Sequence, residues 1–127
     1  MLYGGIEGGG TKFVCAVANE KNEILAREKF PTEDPQSTIQ NAIDFLKQVE
    51  IDQGESLAAI GIASFGPVDL NPKSEHYGYI TTTPKPGWQF AEFFGRVQRA
   101  FEGIPVGFDT DVNAAALGEH RWGAAQA

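Results

Sequence analysis

The distribution of apolar and polar positions divides the chain into short strand-like stretches and a few helical ones. Leu2 to Ile6 is a short apolar segment that runs into Gly8, Gly9 and Gly10. Lys12 to Ala18 (KFVCAVA) is rich in strand-forming residues, and Glu23 to Phe30 reads as a further strand. The polar stretch Asn19 to Asn22 between them is turn-like. The opening is therefore expected to be three strands joined by tight turns, with Gly8 to Lys12 as the first turn.

Thr32 to Glu50 carries the clearest helical pattern. Asp34 can cap it and Pro35 suits its first turn, and Ile39, Ala42, Ile43, Leu46 and Val49 then fall at spacings of three and four on one face. Leu57 to Ala63 (LAAIGIA) reads as a buried strand. Ser64 to Trp88 is long and rich in Gly, Pro and Thr, and a loop of that size inside a compact domain is usually functional. Phe90 to Phe101 reads as a helix despite Gly95, Ile104 to Phe108 as a short strand, and Val112 to Trp122 as a helix opened by Asp109, Thr110 and Asp111. The order β-β-β-α-β-loop-α-β-α predicts a mixed sheet flanked by helices, an α/β fold.

Composition narrows the classes. At 127 residues the chain is one domain or one lobe of a larger protein, and 42% apolar residues are enough for a real core. The formal net charge of −7 disfavours holding nucleic acid or an anionic membrane by bulk charge. An anionic ligand would have to be held locally, by backbone N–H groups, a placed Lys or a metal. The single Cys15 excludes an intrachain disulfide, and its strand position reads as core packing. His76 and His120 have no partner pattern. No apolar run approaches a membrane span and the N-terminus has no signal-peptide pattern, so the expectation is a soluble, cytoplasmic protein. The C-terminal WGAAQA lacks a closing element, and the chain is expected to be the first part of something longer.

Three segments carry candidate chemistry. Glu7-Gly8-Gly9-Gly10-Thr11-Lys12 has the composition of a phosphate loop but not the order of a P-loop, since Thr precedes Lys and a strand follows. Glycines permit positive φ and a close backbone approach to phosphate oxygens, Thr11 adds a hydroxyl, and Lys12 adds charge; an ordinary Gly-rich turn accounts for the same composition. Asp109-Thr110-Asp111-Val112-Asn113 lies where a strand hands over to a helix, a usual place for ligand groups in open α/β sheets. Helix capping explains one carboxylate there, but not two carboxylates and an Asn. An ionised carboxylate there suits a base that accepts a proton from a hydroxyl attacking phosphorus. Ser64 to Asp69, with Thr81 to Trp88 behind it, offers small residues, hydroxyls and an aromatic suited to a polyol, or simply a surface loop.

The strings GGIEGGGTKFVCAV, IGIASFGPVDL, YGYITTTPKPGW and IPVGFDTDVNAAALGEHRWG, in this order, resemble the ROK family of bacterial sugar kinases, and within it the fructokinase branch. The resemblance implies an actin-like ATPase, ribonuclease-H-like fold of two lobes. Residues 1–127 would be the N-terminal lobe, and the C-terminal lobe would be absent from this chain. It implies transfer of a phosphoryl group from ATP, with Mg²⁺, to D-fructose to give fructose 6-phosphate. The family's phosphate loop falls on Gly8, Gly9, Gly10, Thr11 and Lys12, preceded by Glu7 where Asp is usual; Glu7 would act near Mg²⁺ through water. The family's Asn-Asp-x-Asn-Ala-Ala signature falls on Thr110 to Ala115, which makes Asp111 the catalytic base and puts Thr110 where an Asn normally touches the sugar. Gly66, Pro67, Val68, Thr82 and Thr83 match sugar-binding positions. The family's zinc cluster and adenine pocket would lie in the other lobe, so residues 1–127 alone are expected to be close to inactive. The family's habit of forming homodimers implies a homodimer for the whole protein.

A glucokinase or broad hexose kinase is the nearest alternative. A sugar-sensing, non-catalytic ROK-type regulator is a second, disfavoured by the acidic charge and by the position of the phosphate hairpin within the first dozen residues, which leaves no room for a DNA-binding module before it. A stand-alone lobe with a separately encoded partner is a third.

Overall fold

The computed structural model describes residues 1–110, Thr110 by its backbone alone. Three strands open the chain: β1 (Leu2–Gly8), β2 (Lys12–Asn19) and β3 (Ile24–Pro31). They are followed by α1 (Pro35–Gln53), β4 (Leu57–Ser64), the two-residue strands β5 (Tyr79–Ile80) and β6 (Ala91–Glu92), α2 (Phe94–Ala100) and β7 (Val106–Thr110). The main sheet has the order β3-β2-β1-β4-β7. β1, β2 and β3 form an antiparallel meander, whereas β4 and β7 add in parallel beside β1. Parallel neighbours need crossovers, which α1 and α2 supply.

The period-two pattern of β1 and β2 turns Leu2, Ile6, Phe13, Cys15 and Val17 into the core, where they meet the buried stripe of α1: Ile39, Ala42, Ile43, Leu46 and Val49. Gly4 lies under this helix, and a Cβ there would come within 3.1 Å of Leu57 and 3.2 Å of Leu46. On the opposite face Gly5, Gly61 and Gly107 align in one row across β1, β4 and β7. Outer strand β3 is mostly exposed, and its Arg27 and Lys29 blunt the open edge against further strand pairing.

α1 begins three residues later than the pattern predicts. Asp34 is the N-cap, its carboxylate accepting from the Ser37 N–H at 2.9 Å. The Ser37 hydroxyl also donates to this carboxylate, at 2.6 Å, and the two bonds, the hydroxyl's first, hold the Asp34 carboxyl below the usual range. The helix runs on to Gln53 and stops at Gly54, which is left-handed at φ 66°.

Two other expectations are corrected. The apolar spacing from Phe90 suggests a helix there, but α2 begins at Phe94. Phe90 is left-handed at φ 58°, and Ala91–Glu92 pair with Tyr79–Ile80, so hairpin pairing overrides the local periodicity. The last strand occupies 106–110 rather than 104–108. Asp109 and Thr110, expected to open a helix, instead continue the sheet opposite Ala63 and Ser64. The expected helix Val112–Trp122 lies outside the described residues, as does His120.

Two outcomes follow from these placements. Phe90 is 62% exposed and holds a backbone angle that bulky residues avoid. Phe90→Gly should therefore raise stability by roughly 1 kcal/mol in denaturant titration; an unchanged or lower midpoint would contradict the strain. Burial, with a smaller contribution from the Glu28 charge, pushes the Cys15 thiol up to about 12. A folded sample at pH 8 should leave a thiol-reactive dye unconsumed at Cys15 until denaturant is added.

Candidate functional site

The site forms at the carboxyl ends of the parallel strands. Gly8, Ser64 and Thr110 lie in one register row across β1, β4 and β7. At the usual interstrand spacing of about 4.8 Å, that row spans about 10 Å from Gly8 to Thr110. Glu7, Ala63 and Asp109 form the row before it. Crevices at this edge of an open sheet are the usual ligand sites of α/β folds. Asp111, the next residue beyond the row, lies outside the described residues.

The turn from Gly8 to Lys12 is shaped by sterics rather than by left-handed glycines. None of Gly8, Gly9 and Gly10 uses the positive φ that glycine permits. A Cβ on Gly8 would sit 2.9 Å from the Phe13 ring and 3.1 Å from Phe93. A Cβ on Gly9 would sit 2.8 Å from the Lys12 carbonyl oxygen. Gly10 is different, because nothing lies within 4 Å of where its Cβ would be. Gly9 N–H donates to the Lys12 carbonyl at 2.9 Å, and the Gly9 carbonyl accepts from the Thr32 hydroxyl at 2.7 Å. The Gly10 and Thr11 N–H groups donate to no acceptor among the described residues. Thr11 and Lys12 are exposed beside them, and Glu7 is exposed on the opposite sheet face from the buried Gly8. The result is a small open surface of N–H groups next to an ammonium, suited to an anion.

The segment after β4 is joined directly to this turn, with Phe65 N–H donating to the Gly8 carbonyl at 2.7 Å. Fully buried Ser64 gives its hydroxyl to the Phe65 carbonyl at 2.9 Å. Gly66 precedes a cis bond to Pro67, and Val68 bridges to Ile80. The Pro67 carbonyl accepts from both the Thr81 N–H, at 2.8 Å, and the Thr81 hydroxyl, at 3.1 Å. Asp69 folds the outer part of the loop: its carboxylate takes the Ser74 hydroxyl and the Asn71 N–H, which hold its carboxyl below the usual range.

The two candidate threonines separate. Thr82 is exposed, whereas Thr83 is buried and its hydroxyl accepts from the Lys85 N–H at 3.3 Å. Trp88 is fully buried, packs on Phe13 and Phe65, and donates its indole N–H to the Glu33 carbonyl at 2.8 Å. Among the described residues, no three His, Cys, Asp or Glu side chains converge on a metal site. No described helix is long and apolar enough to cross a membrane.

Sequence reasoning missed Thr32 and Glu33, which tie the turn and the Trp88 loop to the start of α1. The signal in the sequence is slight: a Thr between the end of a strand and a capping Asp.

Comparison with known proteins places these features in context. A model described as the ROK family matches residues 3–127. The chain is 50% identical over 118 residues to a fructokinase of Streptococcus mutans, covering 93% of this chain and 39% of that protein. It is 52% identical over 125 residues to a putative fructokinase of Bacillus subtilis, covering 98% and 40%. The chain thus spans about 40% of the length of these curated relatives. Among solved structures, a ROK hexokinase from Thermus thermophilus matches with a TM-score of 0.77 at 31% identity, covering 99% of this chain and 40% of that one. A ROK family glucokinase from Streptomyces griseus, in complex with glucose and AMPPNP, matches with a TM-score of 0.68 at 30% identity, covering 99% and 38%. These structural neighbours have the actin-like ATPase fold, and the mixed sheet described above is its counterpart.

The turn's steric account makes a clean contrast testable by thermal unfolding. Gly8→Ala and Gly9→Ala should each destabilise by about 1–3 kcal/mol, the usual cost of overpacking. Gly10→Ala should leave the midpoint nearly unchanged. Equal effects at all three positions would refute the steric account.

Proposed function

The chain belongs to the ROK family, and from that premise we propose that it supplies the phosphate-binding turn and the sugar-side loops of an ATP-dependent fructokinase. The observation that carries this reading is the open face at Gly10 and Thr11, with unsatisfied N–H groups beside exposed Lys12, at the carboxyl ends of the parallel strands. The similarity of about 50% to fructokinases supports fructose as the acceptor.

In this proposal the γ-phosphoryl of ATP passes to the 6-hydroxyl of D-fructose, giving fructose 6-phosphate and ADP. The N–H groups of Gly10 and Thr11 and the Lys12 ammonium offset charge on the phosphates. Asp111, one residue beyond the register row, takes the hydroxyl proton as the oxygen attacks phosphorus. Gly66, Pro67, Val68, exposed Thr82 and Thr110 line the sugar side, while buried Thr83 shapes that loop from within. Magnesium is ordinarily bound by one or two carboxylates, water and substrate phosphates rather than by an all-protein cage. A single exposed carboxylate, Glu7, fits that pattern by reaching the ion through water. Bound there, the ion would neutralise charge on the transferring group.

A glucose-phosphorylating enzyme is the second reading, favoured by the structural match to the Streptomyces griseus glucokinase. A coupled assay on the full-length protein with fructose, glucose and mannose separates the two: fructose should give the highest kcat/KM, and a clear preference for glucose would replace the first reading by the second. Asp111→Asn in the full-length protein should lower kcat by about 10²–10⁴-fold, the usual worth of a general base. Undiminished turnover would remove Asp111 from the mechanism.

A further inference from the structure

Thr32 lies just past β3, far from the phosphate turn in sequence, yet it makes two of the turn's hydrogen bonds. Its hydroxyl donates to the Gly9 carbonyl at 2.7 Å, and its own N–H donates to the Thr11 carbonyl at 2.9 Å. The side chain is 9% exposed, so these bonds face little competition from water.

The consequence follows from peptide geometry. In a trans peptide the C=O and the following N–H point in opposite directions. Drawing the Gly9 carbonyl towards Thr32 turns the Gly10 N–H away from it, and holding the Thr11 carbonyl does the same for the Lys12 N–H. An ordinary two-residue hairpin would tie the Gly9 carbonyl back across the turn and use left-handed central residues. Here the Gly9 carbonyl goes to Thr32 instead, and no residue of the turn is left-handed.

We propose that Thr32 is a positioning residue that holds the phosphate turn in its anion-accepting geometry. It touches neither nucleotide nor sugar; it acts through the orientation of the turn's N–H groups. The neighbouring Glu33 carbonyl holds Trp88 of the sugar-side loop, but through a separate hydrogen bond that a change at the Thr32 hydroxyl leaves intact. Loss of that hydroxyl should therefore be felt by the nucleotide and not by the sugar. The proposal rests on the kinase reading above.

The test uses the full-length protein, with calorimetry for ATP and for fructose and steady-state kinetics for both. Thr32→Val keeps the shape and the backbone bond but removes the hydroxyl. It should raise the Kd and KM for ATP about 3- to 10-fold, the worth of one hydrogen bond, with fructose affinity unchanged. Thr32→Ser should restore ATP binding to the wild-type level. If Thr32→Val does not fold, Thr32→Ala against Thr32→Ser carries the same comparison. Wild-type ATP affinity in the variant, equal losses for ATP and fructose, or a Ser variant as impaired as Val would each overturn the role of Thr32. A wild-type protein that transfers phosphate from ATP to no hexose would instead sink the kinase reading, and this role with it.

Discussion

The close approach of the Phe13 ring to the backbone at Gly8 is the contact on which the rest of this structure depends. Phe13 is fully buried, and its ring lies 6.0 Å from that of Phe30, 5.8 Å from Trp88 and 5.6 Å from Phe93. Burying a side chain of this size is worth about 1.5–3 kcal/mol, and each aromatic pair adds about 0.5–1.5 kcal/mol. A Cβ at Gly8 would lie 2.9 Å from the ring, so the packing requires glycine there. One residue thereby seats the Gly8–Lys12 turn, the loop after β4 through Trp88, and α2 through Phe93.

Packing of this kind fixes where the elements lie; hydrogen bonds then fix how they face. The turn accepts two hydrogen bonds from Thr32 and is tied to the next loop through the Phe65 N–H. The far end of that loop is held by the Trp88 indole on the Glu33 carbonyl. The junction between β3 and α1 therefore touches both halves of the candidate site. It is itself held by the Asp34 cap and by the Glu33 N–H, which donates to the buried Thr38 hydroxyl at 2.9 Å.

The outer loop obeys a different logic from the core. Between Asp69 and Tyr79 there are few apolar residues to bury, and the chain is shaped instead by short-range polar bonds to Asp69, Asn71 and Ser74. Tyr77 anchors the segment against Phe94 and Phe108, at ring distances of 5.2 Å and 6.4 Å. A segment that composition alone marks as irregular is thus ordered by local donors and the ring contacts of Tyr77.

What the sequence determined by itself was local. The meander of β1, β2 and β3, the existence and buried face of α1, its Asp34 cap and the glycine string of the first turn all follow from periodicity and capping, which act over a few residues. The family strings likewise marked the candidate site before any contact was known. Tertiary structure decided the rest. It placed Phe90 outside a helix by pairing Ala91 with Ile80, and it kept Asp109 and Thr110 in the sheet beside Ala63 and Ser64. It also decided what the turn glycines are for: close approach at Gly8 and Gly9 rather than the positive φ that glycine permits. Thr32 and Glu33 were illegible in the sequence because their partners, Gly9 and Trp88, stand 23 and 55 residues away. No local propensity encodes such pairs; they exist only once the sheet and its helices have brought the distant segments together.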